Sequence, residues 1–144
     1  YMPTPGIVDI RLLINNNELP DETFIDGLFE FLKAEKVRPL TDQVLIAAPE
    51  IVEYNIDLIY YIREYDRNNA PAVQQRLADE LSSYIAWQGT KIGRDIVPSV
   101  LIRNLMEAGI KRVIINSPVF TKLEHYQLAR VDSVNVVFGG LEND

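Results

Sequence analysis

The sequence holds one histidine, His125, set between Glu124 and Tyr126, so any imidazole chemistry has to start there. General acid–base catalysis needs a second group within hydrogen-bond reach, and adjacency along a chain does not provide it. With no cysteine and no second histidine, His125 cannot join an ordinary zinc site. A nucleophilic mechanism would require Ser117 or another hydroxyl beside a base. Ser117 precedes Pro118 at the end of a predicted strand and lacks the glycine-flanked turn of a hydrolase elbow. Glu53 and Asp57 share one side of a predicted strand, but two carboxylates on an open face read as solvated charges unless a cleft encloses them. Gly93-Arg94-Asp95 carries a single glycine and Gly139-Gly140 lies near the end of the sequence. Neither has the spacing of a phosphate-binding loop. No catalytic, cofactor-binding or metal-ligating residue is assigned.

The aromatic residues leave more to explain. Tyr54, Tyr60, Tyr61, Tyr65 and Tyr84, with Trp87, have the types of a stacking platform for bases or sugars. Tyr54, Tyr60 and Tyr84 fall on predicted core faces, however. Ile59, Tyr61, Tyr65 and Trp87 remain as candidate exposed apolar surface, which more often marks a protein interface than a reaction centre. Tyr61, Tyr65 and Trp87 are therefore the candidate interface anchors.

Composition narrows the partners. The formal net charge of −7 repels a phosphate backbone, and the 14 Lys and Arg are scattered, so no nucleic-acid partner is expected. Apolar residues at 47% and charged residues at 24% suit a folded globular chain. No run approaches the ~18 apolar residues of a membrane span, and the opening residues lack the charged-then-apolar pattern of a signal peptide. The absence of cysteine suits a reducing compartment. The opening YMPTPG reads as a linker, so residues 1–5 are expected to connect to an upstream part of a longer protein.

The elements that must position these residues centre on Val52–Arg63. Val52, Tyr54, Ile56, Leu58, Tyr60 and Ile62 alternate with Glu53, Asn55, Asp57 and Arg63, giving a strand with one dry and one wet face. Residues 69–89 place Val73, Leu77, Leu81, Tyr84 and Ile85 at helical spacing, a stripe fitted to that dry face. Upstream, Ile7–Ile14 alternates as a half-buried strand. Asp21 is placed to cap a helix carrying Phe24, Ile25, Leu28, Phe29, Phe31 and Leu32. So broad an apolar surface predicts a core helix, a partner-facing helix being the alternative. Gln43–Ala48 is a short strand stopped by Pro49. Downstream, Pro98 opens a helix with Leu101, Ile102, Leu105 and Met106 inward and Gly109 as terminator. Ile110–Asn116 reads as a buried strand, Val119–Arg130 as a longer connection of more helical and charged character, with no helix assigned to it, and Val131–Phe138 as a last strand before GGLEND frays.

Three stretches in order carry a resemblance: VRPLTDQV at 37–44 with APEIVEYNID at 48–57, then IGRDIVPS at 92–99, then AGIKRVIINSP at 108–118. Together they resemble the C-terminal portion of the baseplate J-like family, wedge proteins of contractile phage tails, over about residues 6–138. The resemblance implies a structural role. Such proteins link neighbouring wedges around the tail hub and rearrange when the sheath contracts, with no catalytic residues to carry over. It implies other baseplate subunits and a second copy of the chain as partners, no small-molecule substrate, and a place in the virion tail baseplate after assembly in the host cytoplasm. The family's turn and loop residues also have local readings, Arg38 pairing with Asp42 and Arg94 with Asp95 to brace their loops.

The fold expected is α+β: a mixed β-sheet with about three helices mainly on one face, in the order β-α-β-β-α-α-β-β. Residues 6–144 form one domain, divisible into sub-lobes 6–48 and 52–140. The function expected is an assembly module of a contractile-tail baseplate wedge. The alternative from another class is a small-molecule or carbohydrate-binding domain, or a minor enzyme using His125 and a carboxylate.

Overall fold

A computed structural model describes residues 7–13, 19–35 and 43–143. The chain divides into two compact units, Tyr1–Glu50 and Ile51–Asp144. The order of elements is the one the sequence predicts, and the α+β class holds. The strands, however, sort into two sheets instead of one mixed sheet.

In the first unit β1 (Ile7–Arg11) and β2 (Gln43–Ala47) pair in parallel, with Ile7 opposite Gln43 and Arg11 opposite Ala47. Parallel neighbours need a crossover, and α1 (Glu22–Glu35) provides it. Asp21 caps α1 as its position predicts, its Oδ1 accepting the Phe24 amide at 2.7 Å. Arg11 Nη1 donates to the Ala48 carbonyl at 3.1 Å and ties the end of β1 to the end of β2. The prediction of a core helix fails at Phe24, which is exposed, while Ile25 and Leu28 are half-buried. The side chains of Phe29, Phe31 and Leu32, and the Arg38–Asp42 pair, lie outside the described residues.

The second unit is built on β3 (Glu50–Arg63) as the middle strand of a sheet ordered β4-β3-β5. Tyr54, Ile56, Leu58, Tyr60 and Ile62 are buried, as the alternation requires, and Val52 is half-buried at the strand's start. A 3₁₀ segment, Glu64–Asn69, turns the chain into α2 (Ala70–Gln88), which carries proline in its first turn. Val73, Leu77, Leu81 and Tyr84 of α2 and Leu101 and Leu105 of α3 (Pro98–Glu107) complete the core against the dry face of β3. Gly109, at φ 107°, follows α3 in a conformation that a side chain would strain, and so ends the helix. Arg76 Nε, from α2, donates to the Ala108 carbonyl at 3.0 Å and satisfies the end of α3.

β4 (Arg112–Ser117) runs antiparallel to β3, with Val113 opposite Tyr60 and Ile115 opposite Leu58. β4 is not the strand buried on both faces that its composition predicts. Arg112, Ile114 and Asn116 are exposed because β4 is an edge strand, covered by helices on one face alone. Val119–Arg130 contains no helix. Ile96 and Thr121 form an antiparallel bridge, and β5 (Gln127–Glu142) begins inside this stretch. Its hydrogen bonds go to the preceding loop and to a strand, which removes the helical alternative. Gly139 to Glu142 do not fray; they continue β5. Ser133 bonds Asn55, Asn135 bonds Asp57 and Phe138 packs on Tyr60, so β5 runs parallel to β3 and the sheet is mixed.

Candidate interaction surface

One face of the β4-β3-β5 sheet carries the helices, and the alternation of β3 sends the odd-numbered residues to the other. Along that open face the side chains fall into three zones. At one end Ser133 Oγ donates to Asn55 Oδ1 at 2.9 Å and Asn135 Nδ2 donates to Asp57 Oδ1 at 3.1 Å, a polar ladder between β5 and β3. In the middle Ile59 stands opposite Ile114, which is exposed, and beside Val137. At the far end the Arg112 guanidinium lies 4.2 Å from the centre of the Tyr61 ring. Its Nε and Nη2 donate to the two Glu142 carboxylate oxygens at 3.0 and 2.8 Å, and Lys111 Nζ stands 3.6 Å from the same carboxylate. The hydrogen bonds from Arg112 hold the Glu142 carboxyl below the usual range and raise the guanidinium in turn.

Tyr61 lies flat because β5 gives it room. A side-chain carbon at Gly139 would fall 2.5 Å from Tyr61 Cε1 and 2.8 Å from Ile59 Cγ2, so only glycine fits beneath the ring. Tyr61 thus belongs to the open face. Tyr65, 70% exposed, sits in the 3₁₀ segment, and Trp87 occupies the last turn of α2, which covers the opposite face of the sheet. The structure therefore does not gather the three candidate anchors into one patch. The Trp87 indole is itself occupied: the Arg94 guanidinium stacks over it at 4.0 Å, and the Tyr84 ring lies 6.0 Å away.

The loop that follows Trp87 is fixed by residues whose role the sequence hides. Gln88 is fully buried. Its Oε1 accepts the Tyr84 hydroxyl at 3.0 Å, while its Nε2 donates to the carbonyls of Arg94 and Asp95 at 3.1 and 3.2 Å. Burial pushes the Tyr84 hydroxyl up to about 12 and raises that of Tyr54 as well. Arg94 and Asp95 brace the loop, but through other partners than each other. Arg94 Nη1 donates to the Trp87 carbonyl and to Thr90 Oγ1, and Asp95 Oδ1 accepts the Leu123 amide at 2.8 Å. Gln88 was visible in principle, since it continues the stripe of Tyr84 at a spacing of four.

His125 is exposed, its ring meeting Tyr126 edge to face at 5.1 Å. Its neighbours are tied into structure: the Glu124 amide donates to Gln127 Oε1 at 2.8 Å, and the Gly93 amide to the Gln127 carbonyl at 2.7 Å. Ser117 ends β4 opposite Asp57, and the Ser117–Pro118 peptide is cis. Glu53 and Asp57 lie on the open face, with Asp57 engaged by Asn135. Among the described residues no three His, Asp or Glu side chains gather as a metal site. Beyond the open face, Val119 and Phe120 project from the loop after β4, and Val134 and Phe138 from β5. The exposure of Val134 and Phe138 follows from the edge position of β5, which short-range alternation cannot reveal.

Comparison with known proteins gives this geometry a setting. Baseplate protein J of Escherichia phage P2 is 30% identical over 140 residues, covering 96% of this chain and 45% of that protein. The chain thus spans less than half the length of the curated relative it matches. Residues 56–137, from the buried part of β3 to the exposed part of β5, match the Baseplate J-like protein C-terminal domain. The chain belongs to the baseplate J-like family.

Proposed function

We propose that this chain is a structural module of a contractile phage-tail baseplate, seated in the wedge, where it links neighbouring subunits around the hub. The observation that carries this reading is the similarity to baseplate protein J across 96% of the chain. The structure adds a physical reason: the face of the β4-β3-β5 sheet away from the helices mixes aliphatic, aromatic and paired charged side chains, as protein-binding surfaces do. Other baseplate subunits and a second copy of the chain are the partners, and Tyr61, Tyr65 and Trp87 serve as separate anchor points. The module acts by being held, with no reaction assigned to it, in the virion tail after assembly in the host cytoplasm.

Mass spectrometry of purified, intact tails tests the role. Peptides of this chain are expected in fractions that retain baseplates and depleted from tails stripped of them. Tails that carry complete baseplates without the chain would overturn the proposal.

A further inference from the structure

β5 spans Gln127–Glu142, 16 residues, and among the described residues its hydrogen-bonded neighbour in the sheet is β3. From Asp132 to Gly139 every residue except Val136 is exposed, on both faces of the strand. Val134, Val137 and Phe138 keep 48%, 45% and 41% of their surface in solvent. An edge strand presents a row of N–H and C=O groups that invites another strand, and edges are commonly guarded by lysine, proline or shortness. β5 is long and contains neither lysine nor proline. Its segment VNVVF is uncharged and rich in residues that favour pairing.

We propose that the outer edge of β5 pairs with the same edge of a second copy of this chain, antiparallel, about a two-fold axis at Val136. This names a contact within the proposed assembly role and rests on that reading for its setting. The second copy is chosen because the sequence of β5 is complementary to itself in one register. In an isologous antiparallel pair, residues equidistant from the axis face one another. With the axis at Val136, Val134 faces Phe138, and Arg130 faces Glu142 at both ends; Asp132 meets Gly140, so no like charges oppose. Moving the axis to Val137 sets Asp132 against Glu142. Moving it to Asn135 sets Asp132 against Phe138 and leaves Arg130 opposite Gly140. Gly140 bends the strand locally, at φ 124°, and the long Arg130 and Glu142 side chains span that bend. Glu142 already takes Arg112, and a carboxylate has lone pairs left for a further donor.

Sedimentation of two charge-reversed variants tests both the pairing and its register. Arg130→Glu alone and Glu142→Arg alone each bring like charges together twice and weaken the dimer by at least about tenfold. Mixed in equal amounts they form a heterodimer in which both pairs are again opposite, so association returns. Glu142→Arg also loses the Arg112 bridge, but that loss cannot restore association in the mixture. Val134→Lys guards the edge and abolishes the dimer without lowering the thermal transition. A wild-type chain that stays monomeric at submillimolar concentration overturns the pairing, and a mixture that fails to associate overturns the register. Neither result removes the chain from purified tails, whereas its absence there sinks the assembly role and leaves the sedimentation result standing.

Discussion

Gln88→Leu isolates the contribution of one buried amide to the second unit. The side chain is fully buried and makes three hydrogen bonds, to the Tyr84 hydroxyl and to the carbonyls of Arg94 and Asp95. Leucine fills a similar volume and leaves all three partners without their bond. Stranding the buried Tyr84 hydroxyl costs ~1–3 kcal/mol, and each part-buried carbonyl about 0.5–1.5 kcal/mol. Apolar contacts regained by leucine offset part of this, which leaves a net loss of about 3 kcal/mol. At roughly 4–8 °C per kcal/mol for a domain of this size, the thermal midpoint falls by roughly 12–24 °C. Urea melts followed by fluorescence of Trp87, the sole tryptophan, measure the loss where it arises, since Arg94 stacks on that ring. The decisive comparison is Tyr84→Phe combined with Gln88→Leu. Removing the stranded hydroxyl returns ~1–3 kcal/mol, so the double variant is more stable than Gln88→Leu alone. A single-variant loss below about 1 kcal/mol, or a double variant no better than the single, would refute the claim that this amide holds the loop.

Leu77, at the centre of the α2 stripe, is buried, and Leu77→Ala costs ~2–5 kcal/mol in urea melts. Gly139→Val drives a side chain into Tyr61 and Ile59, costs ~1–3 kcal/mol and recovers part of that loss when Tyr61→Ala is made in the same chain, read by thermal denaturation. Burial raises the Tyr84 hydroxyl to about 12 and raises Tyr54 as well, so the fold favours their neutral forms. Their contribution is complete below the unfolded value near 10 and is lost as pH rises towards the folded values. Stability therefore declines above about pH 10, and Tyr84→Phe with Tyr54→Phe flattens that decline in melts across alkaline pH.

Much of the architecture is written in local periodicity. The period-two run in β3 and the helical stripe of α2 each predict their own buried face, because a side chain's direction follows from backbone geometry within a few residues. Asp21, Pro71, Pro98 and Gly109 mark helix ends for equally local reasons: an acceptor for a free amide, a ring that fixes φ, a residue without Cβ. The family resemblance also lay in the sequence, as ordered short motifs that the comparisons support.

Position within a sheet is a different kind of information. Ile110–Asn116 looks buried from composition, yet β4 is an edge with Ile114 in solvent. Val119–Arg130 looks helical until its backbone bonds go to the loop before α3 and to β3. Tyr61, Tyr65 and Trp87 share a chemical type, but they stand on β3, the 3₁₀ segment and α2, and α2 covers the face of the sheet opposite Tyr61. Sequence determined the order of strands and helices and, in β3 and α2, which side is apolar. Tertiary structure alone decided which strands became edges, which side chain lies over Gly139, and which partners Gln88 and Arg112 find, because those depend on residues distant in the chain.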